Sequence, residues 1–239
     1  MSEAKKRDEL IADDLLLQAK NLSHKFDYEL FNDINLSLFK KESIAIIGMS
    51  GSGKSTLLKM IAGLYKPTEG NVYLNGIDMQ FINRDLLNDT ISYLPQSTKL
   101  FQGTLRDNLI FGMIGISDEQ IIEACKLTGL IILLNDLPKG LDTIIPEGGE
   151  SFSGGQKQII ALTRAIIGNK RVVLLDEPTA SMDEGTERHI IGMLKNRLYE
   201  KQTLVVVTHK PIVLSMVDRI IVLTNDGIAI DGTKQEVLQ

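Results

Sequence analysis

The sequence predicts an α/β fold: strands buried on both faces, a glycine-rich loop between one strand and a helix, and a helical lobe inserted in the chain. Three observations predict it. The apolar run Ser43–Ile47 is followed by Gly48-Met49-Ser50-Gly51-Ser52-Gly53-Lys54-Ser55-Thr56, then by Leu57, Leu58, Ile61 and Leu64 at helical spacing. The run Val172–Leu175 is too short for a helix and suits a strand covered on both sides, and Thr203–Thr208 reads as another buried strand. From about Ser97 to Gly168, strand-like runs give way to helical periodicity.

Composition bounds the function. The chain has 239 residues, 43% hydrophobic and 24% charged, an ordinary globular mix long enough to bury a sizeable core. Its net charge of -5 is not the basic footprint that nucleic-acid binding wants, so no nucleic-acid partner is expected. One cysteine, Cys125, excludes an internal disulfide and fits a reducing compartment. No apolar run approaches the roughly 18 residues a membrane span needs. Residues 1–14 are charged, without a signal-peptide pattern. A soluble cytoplasmic chain is expected, whose membrane role, if any, comes through a partner or through a segment outside this sequence.

The elements follow in order. Residues 1–14 read as a helical lead-in. Leu15–Leu17 and the alternating Ile34–Leu38 read as strands, with Phe26-Asp27-Tyr28 on a loop between them. An aromatic there can stack on a purine ring or make a satellite core contact. In the glycine stretch, missing side chains let backbone N–H groups turn inward around a phosphate chain, and the next helix adds its positive end. Lys54 can reach terminal phosphates, and the Ser55 hydroxyl can ligate Mg²⁺. Tyr65–Gly70 is a turn; Val72–Leu74 is a strand closed by the hairpin signal Asn75-Gly76. Ile91–Leu94 is a strand whose end places Gln96 where ligands bind in α/β sheets.

Within the helical stretch, Ser117-Asp118-Glu119-Gln120 is a capping box, and Ile121, Ile122 and Cys125 face one way beyond it, making Cys125 a core residue. Ser153 and Gln156 form a second capping box on a helix running to about Gly168. Gly154 and Gly155 cost about 1 kcal/mol each inside a helix, a cost that makes sense where a phosphate approaches the helix N-terminus closely. The strand Val172–Leu175 ends in two carboxylates. Neighbours on a strand point opposite ways, so they divide the work: Asp176 can bind the Mg²⁺ shell, and Glu177 can act as general base on an attacking water. A helix follows from about Glu184 to Tyr199. His209, at the end of the strand Thr203–Thr208, can bond a γ-phosphate and hold the water in line; His24 and His189 have no such context. Arg219–Leu223 and Ile228–Ile230 form a hairpin across Asn225-Asp226-Gly227, and a short helix, Lys234–Leu238, closes the chain.

In this order the features resemble the nucleotide-binding domain of ABC transporters over nearly the whole chain. Gly48 to Ser55 matches Walker A, Gln96 the Q-loop, and Ser153-Gly154-Gly155-Gln156 the signature. Val172 to Asp176 matches Walker B, followed by Glu177, by Ser181-Met182-Asp183 as the D-loop and by His209 as the switch histidine. The resemblance implies a P-loop NTPase fold with a RecA-like core, an antiparallel β subdomain and an inserted α-helical subdomain. It implies one ATPase domain over residues 1–239, with a core lobe at about 15–96 and 169–239 and a helical lobe at about 97–168. The implied cofactors are ATP and Mg²⁺. ATP would be held by Phe26, with Tyr28 the alternative, on adenine; by Ser50, Gly51, Ser52, Gly53, Lys54, Ser55 and Thr56; and by Ser153, Gly154, Gly155 and Gln156 of a second copy in a head-to-tail homodimer. Mg²⁺ would be held by Ser55, Gln96 and Asp176, and catalysis carried by Glu177, His209, Lys54 and Gln96.

Finer features resemble exporters. Leu141–Gly149 is similar to the exporter X-loop, with Glu147 matching its glutamate, and Leu100–Asn108 is similar to exporter sequence after the Q-loop. Thr208–Pro211 and Val217–Leu223 look like bacterial type I secretion ATPases. These imply protein export from the cytoplasmic face of the bacterial inner membrane, with a transmembrane domain on the same or another chain. Phe152, Met182 and Phe26 depart from the commoner residues, yet none removes a catalytic group, so two equivalent sites are implied. A non-transport ABC ATPase would need a coiled coil that residues 97–152 are too short to supply. The X-loop-like stretch counts against an importer. Intact Glu177 and His209 count against a nucleotide-gated dimerisation module with little turnover.

Overall fold

The computed structural model describes residues 14–198 and 202–238. The expected lead-in, apart from Asp14, and the expected helix end at Tyr199 lie outside the described residues. β1 (Leu15–Lys25) and β2 (Glu29–Phe39) form a long antiparallel hairpin. β3 (Ser43–Ile47) leads through the glycine loop into α1 (Lys54–Ile61). β4 (Glu69–Leu74) turns at Asn75-Gly76 into β5 (Ile77–Asp78). Both turn residues have positive φ, 49° and 77°, the pairing that makes Asn-Gly the favoured two-residue hairpin turn. α2 (Arg84–Thr90) runs straight into β6 (Ile91–Leu94).

The middle of the chain is helical. β7 (Gly103–Thr104) precedes α3 (Leu105–Leu109), α4 (Asp118–Thr128) and α5 (Leu130–Asp136); β8 (Ile144–Ile145) precedes α6 (Gly154–Ile167). β7 and β8 pair in a two-residue ladder, too short to leave a periodic trace in the sequence. β9 (Val172–Asp176), α7 (Glu184–Leu198), β10 (Thr203–Val207), the hairpin β11 (Arg219–Thr224) and β12 (Gly227–Thr233), and α8 (Lys234–Val237) complete the chain.

Two main sheets result. The antiparallel one has the order β2-β1-β4-β5, and the mixed one the order β12-β11-β3-β10-β9-β6, parallel except for β12. Alternation along the parallel strands divides the core. Ile44, Ile46, Val172, Leu174, Val205 and Val207 join Leu57, Leu58 and Ile61 of α1 and the inner residues of the antiparallel sheet. Ala45, Val173, Leu175, Leu204 and Val206 join residues of α6 and α7 on the other face. A third cluster, containing Leu105, Ile121, Cys125, Phe152 and Ile160, holds the helical section together. α6 belongs to both of the last two, through Leu162 and Ile160 respectively. Cys125 is fully buried and its thiol is pushed up to about 11 by burial, so it packs as an inert apolar group.

This parity positions the site. Asp176 lies two residues beyond Leu174, so it shares the α1 face of the sheet. Leu174, 0% exposed, is the packing that holds β9 against α1. Leu174→Ala should cost about 2–5 kcal/mol, seen as a lower urea midpoint at unchanged slope. A loss below about 1 kcal/mol would contradict this packing.

Candidate active site

The site forms at the carboxyl ends of β3, β9 and β10. The loop after β3 depends on close approach: a Cβ at Gly48 would sit 2.1 Å from the Leu223 carbonyl oxygen, and one at Gly53 2.6 Å from the Phe31 ring. Gly53 enters α1 at φ 87°, no side chain caps that helix, and no acid occupies its first turn. Its first N–H groups are therefore left to a ligand, and the helix end favours an anion. Lys54 folds back over the loop, its Nζ donating to the carbonyls of Gly48 at 2.9 Å and Met49 at 2.7 Å. Burial lowers its pKa, opposed by Glu177 and Asp176.

Ser55 donates from Oγ to Asp176 Oδ1 at 3.1 Å. Asp176 is 1% exposed, and its Oδ2 has no hydrogen-bond partner. Burial pushes its carboxyl up from the ordinary value; the Ser55 hydrogen bond works against the rise and the nearby Glu177 adds to it. A hydroxyl beside a buried, unpartnered carboxylate oxygen fits Mg²⁺, which takes one or two carboxylates together with phosphates and waters. Among the described residues no group of three or more His, Cys, Asp or Glu could hold a metal alone. A cation here would draw its other ligands from a nucleotide and water.

Glu177 leaves the strand at φ 49°, so it does not continue the alternation of β9. Its amide donates to the Val207 carbonyl at 2.9 Å, and its Oε1 meets His209 Nδ1 at 2.8 Å. Its Oε2 is buried without a partner. His209 is expected to bond a γ-phosphate and hold the water in line; in the structure its Nδ1 engages Glu177 and its side chain is 69% exposed.

A cavity of about 550 Å³ is lined by Gly48, Ser50, Gly51, Gly53, Lys54, Ser55, Thr56, Gln96, Glu177 and His209, with Phe26 and Tyr28. Asp176 is not on its wall and connects to it through the Ser55 hydroxyl. Both aromatics are exposed on the β1–β2 turn, and both line the cavity, so position alone does not choose between them. His24, given no role from sequence, packs its ring edge-on against Phe26 at 4.7 Å. Ser52 is not on the wall: it is 1% exposed, and its Oγ accepts from Lys54 at 3.4 Å. Ser153, Gly154, Gly155 and Gln156 are not on the wall either. Their capping box is present, with Ser153 Oγ accepting from Gln156 N at 3.2 Å and Gln156 Oε1 from Ser153 N at 2.9 Å. A Cβ at Gly155 would lie 3.1 Å from the Ser181 carbonyl oxygen, so packing within this chain is a second reason for that glycine.

Three residues near the site went unnoticed in the sequence. Lys210 Nζ donates to the Thr179 carbonyl at 2.7 Å and pairs with Glu187 at 3.2 Å; the Thr179 hydroxyl bonds Glu187 as well. No spacing links a loop, a helix and a strand end. The available signal was Glu187 standing three, four and seven residues before Ile190, Ile191 and Leu194, which makes it an acid on a buried helix face.

A glycine loop ahead of an uncapped helix, a serine–aspartate pair and a second carboxylate held by a histidine are the arrangement of the P-loop class. The family model described as ABC transporter matches residues 31–180, and the chain belongs to that family. It is 37% identical over 225 residues to the uncharacterised ABC transporter ATP-binding protein YwjA of Bacillus subtilis (strain 168), covering 93% of this chain and 39% of that protein. It is 35% identical over 225 residues to the lactococcin-G-processing and transport ATP-binding protein LagD of Lactococcus lactis subsp. lactis, covering 94% of this chain and 32% of that one. The solved structure of a bacterial Atm1-family ABC exporter with ATP bound superposes with a TM-score of 0.87 at 27% identity, over 95% of this chain and 40% of that chain. The chain thus spans 32–39% of the length of these two curated relatives.

The Asp176 carboxyl makes stability depend on pH. Because its pKa is raised by burial, the folded chain keeps that proton to higher pH than the unfolded chain. The stability this confers is present at low pH and is lost as pH rises through the folded value. Without metal or nucleotide, wild type should lose stability relative to Asp176→Asn as pH rises from about 4 toward neutral, followed by thermal melting. A difference that stays constant over this range would contradict the assignment.

Proposed function

We propose that this chain is the ATP-binding and hydrolysing domain of an exporter, working as a head-to-tail pair of copies around two ATP molecules. The observation that carries this reading is the division between the carboxylates: Asp176 is held against Ser55, and Glu177 against His209. Cation binding and water activation then fall to different groups. Lys54 and the loop amides would hold the phosphates, with Phe26 or Tyr28 stacked on adenine. Ser55 and Asp176, with Gln96 nearby, would hold Mg²⁺, which when bound neutralises phosphate charge. Glu177 takes the proton of the attacking water as general base. His209 occupies Oε1, which leaves Oε2, the buried oxygen without a partner, for that water.

Ser153 to Gln156 lie off this cavity, in keeping with a role at the phosphates bound by a second copy. A nucleotide that binds only the closed pair shifts the population toward it, and hydrolysis releases it. The cargo of this reading would be a protein exported by type I secretion, a reading that the relative described as a lactococcin-G-processing and transport protein supports. Among the described residues no helix is long and apolar enough to cross a membrane. The domain would work at the cytoplasmic face of a bacterial inner membrane beside a transmembrane domain on the same or another chain.

Steady-state Mg·ATP hydrolysis per molecule should rise with protein concentration, because each site needs a second copy, and should collapse in Glu177→Gln. Turnover that survives this substitution would overturn the role of Glu177. ATP binding without turnover in wild type would favour a nucleotide-gated dimerisation module.

A further inference from the structure

We propose that Gln158 is a positioning residue that holds the Glu177 backbone and ties it to the stretch just after Gln96. The inference rests on the catalytic reading of Glu177 above. Glu177 carries a Cβ yet sits at φ 49°, a conformation that residues other than glycine rarely adopt and that persists where surrounding bonds fix it. Three hydrogen bonds do so. Its amide donates to Val207 at 2.9 Å, its carbonyl accepts from the Ala180 amide at 3.2 Å, and the same carbonyl accepts from Gln158 Nε2 at 3.2 Å. The first two are main-chain bonds of the strand end and the following turn. The third is a side chain reaching over from α6, the helix that begins with Ser153 as its cap.

The chemistry fixes which way the Gln158 amide points. A carbonyl oxygen only accepts, so the nitrogen faces Glu177 and Oε1 faces the other way. There it accepts from the Thr98 hydroxyl at 3.3 Å. Gln158 is 3% exposed, so both ends of a buried amide are satisfied by groups from two different segments. Thr98 lies in the wall of a second cavity, of about 630 Å³, with Ser97, Lys99, Phe111 and Arg164. A displacement of that wall, or a turn of α6, therefore reaches the Glu177 carbonyl through one side chain. The effect falls on where the carboxylate sits, while the loop that holds the phosphates is untouched.

Gln158→Leu keeps the bulk and helix preference and removes the donor. It should lower kcat for Mg·ATP by about tenfold or more with the KM for ATP within about twofold of wild type. Thr98→Val should give a smaller loss in the same direction. Hydrogen exchange, read without nucleotide, should speed up at the amides of Glu177, Thr179 and Ala180 in Gln158→Leu and stay unchanged in Ser43–Ile47. A loss of kcat matched by a rise in KM, or unchanged exchange at 177–180, overturns the proposal. If wild type turns over no ATP, the catalytic reading of Glu177 falls, and the exchange experiment alone decides whether Gln158 holds this backbone.

Discussion

The hydrogen bond between Ser55 and Asp176 joins the two halves of this molecule's chemistry, and the rest of the fold can be derived from what that contact demands. It requires α1 to start directly over the carboxyl end of β9. The glycine loop allows this, since side chains at Gly48 and Gly53 would collide with Leu223 and Phe31. It requires Asp176 to face α1, which strand parity delivers once Val172 and Leu174 pack on that face. It also buries a carboxylate with one oxygen unpartnered, an arrangement unfavourable by itself and sensible where a cation is to arrive.

The neighbouring carboxylate is handled differently. Glu177 departs from strand geometry and is held by groups from separate parts of the chain: Val207, His209, Ala180 and Gln158. Two adjacent acids thereby acquire separate surroundings and can have separate chemistry. α6 is shared between the helical cluster and the sheet's second face, so the segment carrying Ser153 to Gln156 is mechanically continuous with the core beneath the site.

Much of this was legible in the sequence where one physical requirement dominated. β3, β10 and the segment ending at Asp176 were readable because strands covered on both faces appear as nearly unbroken apolar runs. The capping boxes at Ser117 and Ser153 were readable because their partners are three residues apart. β1 was read only at Leu15–Leu17 and runs on to Lys25; beyond Ala19 irregular register breaks the alternation that marks a strand. The site was legible in its residues and less so in its contacts. Nothing local pairs His209 with Glu177, sets Ser181 against Gly155, or joins Lys210 to Glu187, because each pair meets only through sheet order and helix packing.

If Asp176 and Ser55 together hold the cation of a nucleotide site, Mg²⁺ must strengthen ATP binding through them. In calorimetric titrations of ATP with and without Mg²⁺, the cation should tighten binding to the wild-type chain, and this gain should disappear in Asp176→Asn while the metal-free affinity is retained. An equal gain from Mg²⁺ in both proteins would rule out this role for Asp176.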